Sequence, residues 1–182
     1  ASAIEAMGDK IRAREIAQRA AVPVVPGTPS AVEPENVEVR AREIGYPVAL
    51  KAAAGGGGRG FRVAMAPEDL SDALDGAAGE ASRYFGDGRV YVERYLEQPR
   101  HVEIQVLADQ HGNAIALGER DCSIQRRHQK LIEESPSPAL DDALRGRMEA
   151  AAVSLAEAVD YVGAGTVEFL VQGDEFFFLE MN

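Results

Sequence analysis

The sequence predicts an α+β fold: a small subdomain built on a glycine-rich hairpin, then a larger antiparallel sheet backed by one long helix. Three observations carry this reading. An apolar run ends in Lys51 and is followed by Gly55-Gly-Gly-Gly-Arg-Gly60 and a second strand-like run from Phe61. The alternation His101-Val-Glu-Ile-Gln-Val-Leu107 places Val102, Ile104 and Val106 on one face of a strand and His101, Glu103 and Gln105 on the other. Leu140, Leu144, Met148, Ala151, Leu155 and Val159 recur at helical spacing before two closing strands. Hairpins mixed with helices, without βαβ alternation throughout, point to α+β rather than a parallel sheet.

The elements follow in order. Asp9 is placed to cap a helix from Lys10 to about Ala21, stopped by Pro23. Residues 22–28 read as a connector. Pro34 starts a helix with Val37, Ala41 and Ile44 on one face, ended by Gly45. A strand to Lys51, the glycine loop and a strand from Phe61 come next. Pro67 opens a helix carrying Leu70, Leu74, Ala77 and Ala81, and 90–95 is a strand. After the alternating strand, a turn at 109–113 returns the chain into 114–119. The stretch 120–134 reads as polar and dense in charge. The closing strands, 165–171 and 175–182, form a hairpin around Gly173-Asp174.

Bulk properties exclude several classes. The net charge of −11 argues against nucleic acid held by bulk electrostatics, while leaving local cationic clusters free to take phosphate. A single cysteine, Cys122, excludes an internal disulfide and a cysteine-rich metal site, and fits a reducing compartment. No apolar run approaches a membrane span and no secretory signal is visible, so the expected location is cytoplasmic, or mitochondrial for a eukaryotic source. The chain opens near a helix and closes on the core-like run Phe176-Phe-Phe-Leu-Glu-Met-Asn182, which is the expectation for a fragment of a longer protein.

The glycine loop brings backbone N–H groups close to a polyanion, with Lys51 beside it as a point charge. Gly55, Gly57 and Gly60 satisfy G-x-G-x-x-G, but a strand rather than a helix follows, so the dinucleotide fingerprint fails on context. The Gly-Lys-Ser/Thr of a P-loop is absent, and the order of lysine and loop is the reverse of a protein kinase. A nucleotide phosphate lid is the expectation.

Glu168 and Glu180 lie in the closing hairpin among Val167, Phe169, Leu170, Phe178 and Leu179. With a three-residue loop 173–175, the two glutamates face each other roughly 5 Å apart. A two-residue loop would put them on opposite faces. Like charges this close call for a divalent cation, and oxygen ligands without His or Cys suit Mg²⁺ or Mn²⁺ on phosphates. Asn182 shares that face. The run Arg120-Asp-Cys-Ser-Ile-Gln-Arg-Arg-His-Gln-Lys130 concentrates cations suited to an anion, or else forms a solvated loop pairing with Glu133 and Glu134. Val92-Glu-Arg-Tyr-Leu96 is either a strand end or a hinge where adenine meets backbone. His101, a lone histidine on the polar side of its strand, reads as a surface residue.

Together these segments resemble the ATP-grasp domain of biotin carboxylases. The matching stretches include Met7-Gly-Asp-Lys10, Val22-Pro-Val-Val-Pro-Gly27, Gly45-Tyr-Pro-Val-Ala-Leu-Lys51, the glycine loop, Glu93 to Gln105, Glu119 to Lys130, Gly163-Ala-Gly-Thr-Val-Glu168 and Phe178-Leu-Glu-Met-Asn182. The resemblance implies one ATP-grasp domain over 1–182, with a lid subdomain near 22–95 and a larger ATP- and Mg-binding one near 96–182. It implies that Lys10, Lys51 and the loop Gly55, Gly56, Gly57, Gly58, Arg59 and Gly60 hold ATP phosphates, and that Glu93, Arg94 and Leu96 receive adenine. His101 and Gln125 would lie near the ribose, His128 near the phosphates, and Lys130 at the carboxyphosphate centre. Glu168, Glu180 and Asn182 would hold Mg²⁺ or Mn²⁺. The implied reaction is ATP-dependent activation of bicarbonate, then carboxylation of biotin on a carrier domain that also meets a carboxyltransferase component. Nucleic acid and membrane are not among the implied partners. Alternatives are a carbamoyl-phosphate synthase-like unit and an ATP-binding module without turnover of its own.

Overall fold

The computed structural model describes residues 3–54, 59–127 and 129–182. Gly55 to Gly58 and His128, expected at the phosphates, lie outside the described residues. The chain divides into two compact units, one formed by Gly8–Ile11 and Val25–Glu97, the other by Ala1–Met7, Arg12–Val24 and Gln98–Asn182.

The first unit is a three-stranded antiparallel sheet in the order β2-β1-β3, with β1 at Val48–Ala52, β2 at Phe61–Ala64 and β3 at Val90–Arg94. Two helices cover it, α3 at Val37–Ile44 and α4 at Leu70–Phe85. Their core faces meet the sheet through Val37, Ala41, Leu70, Ala73 and Ala77, against Val48, Leu50 and Val92. Each helix begins as a 3-10 turn opened by proline, Pro34–Asn36 and Pro67–Asp69, so the regular helix starts three residues later than the prolines suggest. Proline suits that position because its missing N–H has no partner there anyway. The Asp69 carboxylate accepts from the N–H groups of Met65 and Ala66. At the far end α4 stops at Gly86, whose φ of 70° a side chain would resist.

The second unit begins with α1 (Ala3–Gly8) and takes most of α2 (Lys10–Arg19). Its sheet runs β6-β5-β4-β7-β8, antiparallel throughout: β4 Arg100–Ala108, β5 Ala114–Arg126, β6 Gln129–Glu134, β7 Gly163–Gln172 and β8 Glu175–Met181. Helix α5 (Asp142–Ala158) starts where the Asp141 carboxylate accepts from the Leu144 N–H at 2.7 Å. Leu144, Met148, Ala152 and Leu155 of α5 pack with Val102, Ile104, Val106, Val167 and Phe169. The alternation in β4 therefore does what its period requires: its apolar side faces the helix and its polar side is left for chemistry.

Two expectations need correction. The charged stretch 120–134, for which a solvated loop is one alternative, supplies the end of β5 up to Arg126 and β6 from Gln129, and Asp121 and Cys122 are buried. The closing hairpin turns on two residues, with Gln172 opposite Glu175. Such a turn alone would separate Glu168 from Glu180. A β-bulge restores their pairing: Phe169 faces Phe178 but Glu168 faces Glu180, so Leu179 is the extra residue.

Candidate functional site

The register of the larger sheet lines up four residues across four strands. Arg120 on β5 is opposite Glu103 on β4, Glu103 is opposite Glu168 on β7, and Glu168 is opposite Glu180 on β8. Three carboxylates thus stand side by side, at a spacing of roughly 5 Å between neighbouring strands. Glu103 and Glu168 are each 3% exposed. Groups so buried must be paired. Arg120 Nε donates to Glu103 Oε1 at 2.5 Å. Lys130 reaches over from the edge strand β6 and donates to both Glu103 and, at 2.8 Å, Glu168. Two cations serve two of the three carboxylates, Glu103 and Glu168, and among the described residues the half-buried Glu180 has no hydrogen-bond or ion-pair partner.

Glu168 collects further donors. His101 Nε2 lies 2.5 Å from its Oε2, and Asn182 Nδ2 donates to its Oε1 at 2.8 Å. Burial alone would push this carboxyl up; hydrogen bonds from His101 and Lys130 outweigh it and hold the group below its usual range. Burial likewise opposes the Lys130 ammonium, and the carboxylates of Glu103 and Glu168 outweigh it, raising Lys130 above the ordinary lysine range. His101 is thus no surface histidine: its other nitrogen, Nδ1, lies 2.8 Å from Gln125 Nε2, and that amide also donates to Cys122 O at 2.8 Å. Cys122 itself is fully buried, and burial with the nearby Glu103 pushes its thiol up to about 12.

This donor set fits a hard divalent cation. It offers only oxygens, one carboxylate carries no partner among the described residues, and the Asn182 amide turned over would present its oxygen.

The other unit holds a separate group. Lys51 and Glu93 form an ion pair, with side chains 13% and 3% exposed. The Lys51 ammonium also lies 5.7 Å from the centre of the Phe61 ring. Glu93 sits where the connector pairs with β3: Gly27 bridges to it, and a Cβ on Gly27 would stand 2.6 Å from the Val92 carbonyl oxygen. Only glycine permits that approach. The N–H of Lys10 donates to the Ala53 carbonyl at 3.3 Å, near the end of β1. Gly60 donates to the Glu80 carboxylate at 2.9 Å, and Arg59 stacks over the Tyr84 ring at 4.4 Å. Arg94 is half-buried, its N–H donating to Pro26 O, and Leu96 is buried.

The structure therefore brings His101, Gln125, Lys130, Glu168, Glu180 and Asn182 together in one unit, and pairs Lys51 with Glu93 in the other. Arg59 joins neither group and rests on α4. Sequence reasoning did not single out Glu103 and Arg120, the members of the row on β4 and β5. The usable signal was Glu103 on the polar side of an alternating strand, within reach of a basic run.

The fold is the ATP-grasp fold of solved biotin carboxylases. The chain belongs to the family described as carbamoyl-phosphate synthase L chain, ATP binding domain, which it matches over residues 9–182. A biotin carboxylase of Nostoc sp. is 54% identical over 182 residues, covering 99% of this chain and 41% of its own length. The propionyl-CoA carboxylase alpha chain of Ruegeria pomeroyi is also 54% identical, covering 99% of this chain and 27% of its own. The crystal structure of a biotin carboxylase–beta-gamma-ATP complex from Campylobacter jejuni superposes with a TM-score of 0.96 at 52% identity, over 100% of this chain and 41% of that one. The chain thus spans between 27% and 41% of the length of these relatives. The likeness to biotin carboxylases drawn from the motifs is borne out.

Proposed function

We propose that this chain is the ATP-binding core of a biotin carboxylase, serving ATP- and Mg-dependent activation of bicarbonate to carboxyphosphate and the carboxylation of protein-linked biotin. The observation that carries this reading is the row Glu103–Glu168–Glu180, three carboxylates of which two are paired with cations, in a chain 54% identical to a biotin carboxylase. Glu168, Glu180 and Asn182 would hold Mg²⁺ or Mn²⁺, which when bound neutralises charge on the transferring phosphate. Lys130, kept charged by its two carboxylates, would stabilise the charge that develops on the carboxyphosphate. Lys51 and Lys10 would hold phosphates, with Lys51 exchanging its Glu93 partner for phosphate oxygens. Gly55 to Gly60 would cover them and keep water from the mixed anhydride. Glu93, Arg94 and Leu96 would take adenine, His101 and Gln125 the ribose, and His128 the phosphates. The domain assignment follows: a lid subdomain near 22–95 and a larger ATP- and Mg-binding one near 96–182. A biotin-bearing carrier domain and a carboxyltransferase component are the expected partners. Relatives named as biotin carboxylase or carboxylase alpha chain favour this over carbamoyl phosphate synthesis. Among the described residues no helix is long and apolar enough to cross a membrane.

The test is calorimetric titration of ATP with and without Mg²⁺, repeated on Glu180→Ala. Magnesium-dependent binding, weakened about 100-fold by the substitution, is expected, comparable to losing a charged, desolvated partner. Bicarbonate- and biotin-dependent ATP hydrolysis by the full-length protein then completes the case. Binding without turnover there would leave only a nucleotide module.

A further inference from the structure

The backbone ladder between β4 and β5 ends at Val102 opposite Asp121. His101 lies one residue beyond, where β5 no longer offers a carbonyl. Its N–H donates instead to the Ser123 hydroxyl oxygen at 2.9 Å. That hydroxyl donates its own proton to Asp121 Oδ1 at 2.6 Å, and the Ser123 N–H donates to the same oxygen at 3.0 Å. Asp121 is 3% exposed, and its second oxygen takes Arg100 Nε at 3.1 Å, Arg100 Nη2 at 3.0 Å and the Ser137 hydroxyl at 3.0 Å. Two consecutive residues at the start of β4 are therefore tied to one buried carboxylate, Arg100 directly and His101 through Ser123. A side-chain clasp replaces the missing rung of the ladder.

We propose that Ser123, oriented by Asp121, is a positioning residue that sets where the His101 ring meets Glu168. The ring sits between Glu168 Oε2 at 2.5 Å and Gln125 Nε2 at 2.8 Å, so it has hydrogen-bond partners on both sides and little room to follow a backbone shift without losing one. Arg100 and Asp121 hold the strand, and Ser123 carries that fixity to the ring. The kinetic consequence rests on the nucleotide-binding reading above; the geometric one does not.

The experiment compares Ser123→Ala and Ser123→Thr in the full-length protein. In the ligand-free state, ring ¹⁵N signals of His101 are expected to move in Ser123→Ala while those of His111 stay, and Ser123→Thr is expected to restore them. In kinetics, the KM for MgATP is expected to rise about fivefold in Ser123→Ala, the worth of one hydrogen bond, with the KM for bicarbonate unchanged. Ser123→Cys, close in volume but a weak acceptor, replaces the alanine variant if that one fails to fold. Unmoved His101 signals with only a lower Tm would overturn the proposal and leave the clasp a structural tie. A moved ring with an unchanged KM would overturn its part in nucleotide binding. Absence of ATP turnover in the unsubstituted protein would instead defeat the functional reading, while the ring signals still decide the clasp.

Discussion

Lys130 carries the heaviest commitment of any residue in the acidic row, since one ammonium satisfies Glu103 and Glu168 together. Lys130→Met would leave two buried carboxylates short of a cation. An expected loss of about 3 kcal/mol follows from removing one partner of a buried ion pair, measured by urea unfolding at pH 7. Lys130→Arg is expected to rescue poorly, because a planar guanidinium cannot reproduce a point charge shared by two carboxylates. Asp121 makes a pH prediction. Burial alone would raise its carboxyl, but the donors Ser123, Ser137 and Arg100 outweigh it and lower the group below its usual value of 3.8. The unfolded chain then takes up a proton at higher pH than the folded one. The stabilisation is complete above the ordinary carboxylate range and is lost as pH falls below about 4 toward the depressed folded value. Asp121→Asn is expected to flatten unfolding midpoints against pH between 5 and 2, and to lower them at pH 7.

The decisive element is the hairpin of β7 and β8, where a bulge in the middle rather than the turn sets which face Glu180 takes. Deleting Leu179, the extra residue, is expected to make the ladder regular while Glu180 stays opposite Glu168 on the same face, so magnesium-dependent ATP binding should survive, read by calorimetry on a chain whose circular dichroism still shows both helix and sheet. The connector against β3 is tighter: Gly27→Ala is expected to cost about 2 kcal/mol, because its Cβ would meet backbone at 2.6 Å. Much at this scale was legible in the sequence. The helices showed through apolar period and through Pro34, Gly45 and Pro67, which punctuate the chain locally. The acidic row did not, since which glutamate meets which depends on strand register, and a bulge shifts register without leaving a mark in residue type. The strands within 120–134 were hidden for a related reason: Asp121 and Cys122 are buried side by side where the register shifts, so the stretch carries charge without a period of two.

Each unit of the molecule has its own apolar core, and the chain moves between units at 7–8, 11–12, 24–25 and 97–98. The overall charge of −11 makes the pairing of cations with carboxylates in both units a local matter, set by neighbours rather than by the sum. Cys122 bears on the molecule as a whole, being its one cysteine. With the thiol fully buried and pushed up to about 12, almost no thiolate forms at neutral pH. A disulfide reagent is expected to leave the native protein unmodified and to titrate one thiol only after denaturation. The buried sulfur therefore turns the natural chain into a ready background for spectroscopy. A cysteine introduced at the exposed Asp72 of one unit and another at the exposed Ala150 of the other would be the only groups to take a fluorophore, so the distance between units can be followed by energy transfer as nucleotide is added, with no native residue first removed.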